Sequence, residues 1–191
     1  MMSNLYMYAF KLVWLGSYRF YCEPVDYSDT PEAHWTVRLV WGYFMLKVLD
    51  LLDTVFFVLR KKNNQITFLH VYHHAGMVFG TWFGVKFIAG GHAVFLGLIN
   101  SIVHSFMYTY YLLTNINPDY KKSIWWKKYI TQLQMAQFLI LLIQSLPVLF
   151  KEECNYPRSI GGLLVTQNFF MLVLFYDFYR KAYHPKKIAQ S

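Results

Sequence analysis

Long apolar runs separated by short polar stretches divide this chain, and runs of about 20 largely apolar residues are the signature of membrane helices. Six such runs predict six helices: 4–16, 35–59, 66–88, 92–114, 129–150 and 161–179. The first is short and starts abruptly with the chain, so it reads as a helix without its front part. The connections carry turn and charge signals. Cys22, Pro24, Pro31 and four acids lie in the first, and Arg60-Lys61-Lys62 in the second. Gly90-Gly91 closes the third helix, Pro118 and a group of lysines follow the fourth, and Cys154 and Pro157 follow the fifth. The expected architecture is all-α: a polytopic membrane helix bundle of about six spans, one domain over residues 1–191, with a basic tail at about 181–191. The start lacks the basic stretch and small-residue cleavage site of a removable leader, so the first helix is expected to direct insertion itself.

Composition supports that reading. Hydrophobic residues are 56% and charged residues only 15%, so most of the surface suits lipid rather than water. The net charge of +8 could suggest nucleic acid, but the positive residues cluster between the apolar runs, as in cytosolic loops facing anionic head groups or anionic substrates. No nucleic-acid partner is expected. One set of alternate loops holds Arg60, Lys61 and Lys62, then Lys121, Lys122, Lys127 and Lys128, then Arg180, Lys181, Lys186 and Lys187. Positive residues mark the cytosolic side, so the C-terminus is expected to be cytosolic. The opposite loops hold Glu23, Asp26, Asp29, Glu32, Glu152 and Glu153, and both cysteines. That side faces an oxidising compartment, which predicts a Cys22–Cys154 disulfide; two unpaired thiols are the alternative.

Within the runs, polar residues fall on single helical faces. His70, His73 and His74 sit at i, i+3 and i+4, and so project together. A lone intramembrane histidine is usually a hydrogen-bonded structural group. Three on one face point to a site, because polar groups at bilayer depth face a bundle interior or a wet cavity. Lys47, Asp50, Asp53 and Thr54 share a face of the second run. There a salt-bridge network holding the bundle and a direct catalytic role fit equally well. Asn100, His104, Tyr108 and Tyr111 form a stripe on the fourth run, Tyr111 reading more as core packing. Thr131, Gln134 and Gln137 lie near the cytosolic end of the fifth, while Gln144 reads as glue between helices. Polar stripes turned inward from four helices describe a bundle closed as a barrel around a polar chamber, its cytosolic mouth ringed by Lys and Arg and its other end apolar. An amphipathic substrate with an anionic head fits such a chamber.

The motifs go further. Lys47-Val48-Leu49-Asp50-Leu51-Leu52-Asp53-Thr54 matches Lys-x-x-[Glu/Asp]-x-x-Asp-Thr, and His70-Val71-Tyr72-His73-His74 matches His-x-x-His-His. Asn100 to Tyr111 matches Asn-x-x-x-His-x-x-Met-Tyr-x-x-Tyr, and Thr131 to Gln137 matches Thr-x-x-Gln-x-x-Gln. In this order they resemble the elongation-of-very-long-chain-fatty-acids (ELO) family of membrane 3-oxoacyl-CoA synthases, over nearly the whole chain. Relatives have seven spans, so the first is expected to be missing here.

The resemblance implies an endoplasmic-reticulum, multi-pass enzyme of fatty-acid elongation. It would condense a long-chain acyl-CoA with malonyl-CoA, releasing CO2 and CoA and giving a 3-oxoacyl-CoA. No cofactor or metal is implied. The family mechanism places the acyl group on His73, with His104 as partner across the chamber. His70 and His74 then set tautomers and supply acid–base function, and Asn100 and Gln134 donate to the oxyanion or enolate. Lys47, Asp50 and Asp53 balance the chamber's charge. Thr54, Tyr108, Thr131, Gln134 and Gln137 complete the substrate-binding set. Arg60, Lys61, Lys62, Lys127, Lys128 and Lys181 are candidates for the CoA phosphates. Implied partners are the acyl-CoA and malonyl-CoA, the bilayer, other enzymes of the elongation cycle, and homo- or hetero-oligomers. Two alternatives stand beside this: a non-catalytic lipid-binding or partner subunit, and a di-iron membrane desaturase or hydroxylase, which also uses His-x-x-His-His but needs several such boxes.

Overall fold

A computed structural model describes residues 18–184, and all its regular structure is helical. The expected helix over 4–16 and the lysines of the tail beyond His184 lie outside the described residues. Five long helices follow one another: α1 (Pro31–Leu59), α2 (Phe68–Phe87), α3 (Val94–Ile116), α4 (Ile124–Phe150) and α5 (Arg158–Tyr183). Short 3-10 turns at Asn63–Gln65, Gly91–Ala93 and Pro118–Lys122 sit in the connections.

The helix ends follow local chemistry. Thr30 caps α1 by accepting from the Ala33 N–H, with Pro31 in the first turn, so the helix starts a turn before the first apolar residue of the run. Thr67 caps α2 by accepting from the His70 N–H at 3.2 Å, which places the histidine box in the opening turns of that helix. α1 closes with a pair of bonds in which the Lys62 N–H reaches the Phe57 carbonyl and the Lys61 N–H reaches that of Val58, both at 2.9 Å. This is the Schellman arrangement, and it holds Lys61 at φ 54°, a left-handed conformation usually filled by glycine. Gly90 at φ 116° and ψ −149° turns the chain between α2 and α3 through a region open only to glycine.

α4 and α5 pack along each other, as do α1 and α2; α3 joins α4 to α1, and α2 touches α5. The close approach of α4 and α5 depends on Gly161, where an added Cβ would stand 2.6 Å from Cγ1 of the fully buried Val148. α3, α4 and α5 are long and apolar enough to cross a membrane. Every helix presents large apolar side chains outward: Leu49, Phe79, Phe106, Ile143 and Leu163 are each more than half exposed. Inside, Lys47, Asn100, Gln137, Gln144 and Asn168 are buried. Polar inside and apolar outside is the order required of a bundle in lipid.

One end of the bundle is fastened covalently. Cys22 and Cys154 are joined by a disulfide, with their Cα atoms 5.7 Å apart. Above it lies a buried polar knot: the Tyr18 hydroxyl donates to the His92 carbonyl at 2.9 Å, and the Gln144 amide reaches both His92 Nδ1 (3.2 Å) and the Phe20 carbonyl (3.3 Å). Burial pushes the Tyr18 hydroxyl well above the usual phenol range. Gln144 thus ties α4 to both the first loop and the start of α3. On the exposed first loop, the Ser28 hydroxyl and N–H hold the Asp26 carboxyl below the usual carboxylate range. The opposite end carries Arg60, Lys61, Lys62, Lys127 and Lys128, beside the end of α5 with Lys181.

Candidate functional site

The site is built from the three stripes on α1, α2 and α3 and from amides of α4 and α5. On α1, the Lys47 ammonium is buried and donates to Asp50 Oδ2 at 2.9 Å. It also lies 5.0 Å above the Tyr43 ring. Spacing of i, i+3 and i+6 brings Lys47, Asp50 and Asp53 along one face. From α3, the Tyr108 hydroxyl lies 3.0 Å from Asp50 Oδ1 and 3.1 Å from Asp53 Oδ2, so it bridges the two carboxyl groups. One turn earlier, His104 Nδ1 approaches Asp50 Oδ2 to 3.9 Å and is a buried polar atom without a hydrogen-bond partner among the described residues. Another turn earlier, Asn100 Oδ1 accepts from the Tyr43 hydroxyl at 2.8 Å. Lys47, Asp50, Asp53 and Tyr108 are therefore one hydrogen-bonded network, with His104 beside it and Asn100 joined to α1 through Tyr43. Thr54 turns to α2 instead, and Tyr111, expected to pack in the core, is 45% exposed.

The histidine box divides between two environments. His70 Nε2 meets the Thr54 hydroxyl at 2.9 Å, so α1 holds that ring. His74 lies against it, with ring centroids 4.3 Å apart. His73 turns instead into a small cavity of about 40 Å³, lined with Asn100, Gln137, Phe138, Gln167 and Asn168 among its walls. The three imidazoles are contiguous, His73 and His74 being 5.6 Å apart, but only His73 faces all of α3, α4 and α5 through the cavity.

The α4 residues divide too. Gln137 is buried and lines the cavity of His73. Gln134, three residues earlier, directs its amide N–H at the sulfur of Met107, 3.7 Å away, and is not among the cavity walls. Thr131 donates to its own helix at the Lys127 carbonyl and lies 3.4 Å from the Tyr183 hydroxyl, at the basic end rather than beside His73. Lys181 is paired with Asp177 at 2.6 Å, whereas Arg60, Lys61, Lys62 and Lys127 are exposed. Among the described residues, no three His, Cys, Asp or Glu side chains converge as metal ligands.

Two cavity residues, Gln167 and Asn168, fall outside every motif. The Tyr72 hydroxyl donates to Gln167 Oε1 at 2.9 Å, and Asn168 Nδ2 donates to the Leu164 carbonyl at 2.8 Å. Their signal in the sequence was the polar triplet Thr166-Gln167-Asn168 inside an apolar run.

A buried imidazole beside amide donors, next to a carboxylate–ammonium network, can bind and polarise a carbonyl compound. The comparisons with known proteins agree on lineage. The chain matches the GNS1/SUR4 (ELO) family over residues 1–191 and belongs to it. It is 45% identical over 175 residues to a very long chain fatty acid elongase of Aedes aegypti, covering 91% of this chain and 49% of that protein. It is 44% identical over 171 residues to very long chain fatty acid elongase 7 of Rattus norvegicus, covering 89% and 61%. With very long chain fatty acid elongase 4 of Homo sapiens it is 40% identical over 191 residues, covering 97% and 60%. The chain thus spans about half to three-fifths of the length of these relatives. With its apolar helices, it is an integral membrane protein of that family.

Proposed function

We propose that the chain carries the condensing site of fatty-acid elongation: decarboxylative transfer of the two-carbon unit of malonyl-CoA to a long-chain acyl-CoA. The observation that carries this reading is the placement of His73 in a small cavity where the amides of Asn100, Gln137, Gln167 and Asn168 stand among apolar walls. A neutral ring nitrogen of His73 attacks the thioester carbonyl; the C–S bond breaks and CoA leaves as the thiol after taking a proton. The acyl-imidazole holds the chain. Malonyl-CoA loses CO2, and the electrons of the broken C–C bond form an enolate that attacks the acyl carbonyl. The C–N bond to His73 breaks and a 3-oxoacyl-CoA two carbons longer is released. His104 and His74 are within the same cluster to move protons, and the Lys47–Asp50–Tyr108–Asp53 network fixes the charge around them.

The basic end suits the CoA phosphates, with exposed Arg60, Lys61, Lys62 and Lys127 as the groups to meet them, beside Lys128. Lys181 contributes less, since Asp177 already neutralises it. On this reading the basic end is cytosolic, the disulfide faces the lumen of the endoplasmic reticulum, and other enzymes of the elongation cycle take up the product. The test is intact mass spectrometry of purified protein incubated with a long-chain acyl-CoA alone. The expected result is a gain of one acyl group that His73→Ala abolishes, followed by release of the 3-oxoacyl-CoA on adding malonyl-CoA. Neither adduct nor product would sink the reading and leave a non-catalytic lipid-binding role.

A further inference from the structure

The cavity at His73 has two amides prepared in the same way. Asn100, on α3, has its oxygen occupied by the Tyr43 hydroxyl at 2.8 Å. Gln167, on α5, has its oxygen occupied by the Tyr72 hydroxyl at 2.9 Å. A carboxamide whose oxygen accepts from a tyrosine has chiefly its N–H donors left to offer. Both side chains line the cavity that His73 faces, from different helices. Asn168 differs: its N–H donates to its own helix, so its oxygen is what remains.

The Tyr72–Gln167 bond also fixes position. Tyr72 immediately precedes His73 on α2, so the amide of Gln167 is tied to the same turn of helix that carries the imidazole. The Tyr72 ring is held in turn, edge-on to Phe170 of α5 with centroids 5.2 Å apart and stacked on Phe68 at 5.6 Å. Gln167 thus keeps its place relative to His73 through a packed aromatic anchor. Donors that need no rearrangement when charge develops are the effective ones in acyl transfer.

We propose that Gln167 is a catalytic residue of the condensation proposed above, its amide N–H donating to the carbonyl oxygen of the acyl group while His73 is acylated and again while the enolate attacks. The inference rests on that functional reading. No bond to Gln167 forms or breaks: the oxygen gains negative charge in each tetrahedral intermediate, the amide keeps its proton, and the charge returns to the carbonyl when CoA or His73 departs. Tyr72 is a positioning residue that keeps the amide turned with its N–H inward.

The test is steady-state condensation by the purified protein in detergent or nanodiscs. The variants are Gln167→Leu, which keeps the bulk without a donor, Gln167→Glu, which keeps the acceptor for Tyr72 without the N–H, and Tyr72→Phe. The expected result is a fall in kcat of about 10²–10³-fold for both Gln167 variants, the size found for loss of one oxyanion donor, with KM for acyl-CoA changed less than about twofold. For Tyr72→Phe the fall is about tenfold, because the donor remains but loses its orientation. Thermal unfolding midpoints identify a variant that fails to fold, and the remaining variants then decide. Retention of kcat within about threefold, or a rise in KM alone, overturns the assignment. A wild-type protein that neither acylates His73 nor condenses overturns the functional reading, and the assignment with it. An active wild type with equally active variants overturns the assignment alone.

Discussion

His104 Nδ1 stands 3.9 Å from Asp50 Oδ2, outside hydrogen-bond reach, while the same oxygen takes the Lys47 ammonium at 2.9 Å. The carboxyl group is therefore committed to Lys47 and Tyr108, and His104 lies beside it without bonding to it. Asp50 is one of the residues through which α1 holds α3, with Asp53 and Tyr43.

Removing Asp50 should cost more than its hydrogen bonds. Asp50→Ala leaves the buried Lys47 charge without its carboxylate, a loss of about 3–5 kcal/mol by precedent for broken buried pairs. The double variant Lys47→Met/Asp50→Leu should recover most of the stability, and neither should condense substrate. Thermal unfolding in detergent checks the first claim; a single variant as stable as the wild type would show the pair is not a joint.

Thr54 holds the first histidine of the box. Thr54→Val keeps the shape and removes the hydroxyl. Stability should fall by about 1 kcal/mol, and condensation by about tenfold, as the freed His70 ring shifts beside His74. Thr54→Ser should restore activity. Equal rates for the valine and serine variants would contradict a positioning role.

At Gly161, an alanine must displace Val148 or part the helices. Overpacking of this kind costs about 1–3 kcal/mol. Gly161→Ala should lower the unfolding midpoint, and pairing it with Val148→Ala should return part of the loss. The same substitution at Gly80, where no described residue lies within 4 Å of an added Cβ, should leave the midpoint unchanged or raised.

The disulfide closes a loop across 132 positions of sequence. On the chain-entropy account, its loss should destabilise the protein by about 5 kcal/mol. Cys22→Ser should match the wild type treated with reductant, and reductant should then have no further effect on the variant. Equal midpoints for oxidised and reduced wild type would show that the rest of the bundle suffices.

Much of this arrangement was legible as pattern. The stripes on α1 and α3 met because a helical face is a strong constraint, and Asn100, His104 and Tyr108 could only reach a partner helix together. Boundaries were less visible. The lysines at 127 and 128 looked like loop, yet α4 begins at Ile124, because basic residues are well tolerated where a helix leaves the bilayer. Choosing between Gln134 and Gln137 was beyond periodicity: three residues apart, they share a face, and only packing against Met107 separates them. The shared face of the histidine box likewise concealed that Thr54 would claim His70 while His73 turned to the cavity. Gln167 was hidden differently, since it belongs to no motif and its partner Tyr72, 95 positions away, fills an unspecified position of the histidine box. His92, isolated in sequence, is buried because Gln144 crosses to meet it.

The left-handed Lys61 bears on how the basic end came to be composed. Any side chain with a Cβ is strained in that conformation by about 1–2 kcal/mol, and glycine would relieve it. The chain instead keeps a cation there, flanked by Arg60 and Lys62 at the rim of α1. Lys61→Gly should therefore give a sturdier protein with one positive charge fewer at this rim. At this turn, conformational ease alone would ask for glycine, and the residue present is a cation.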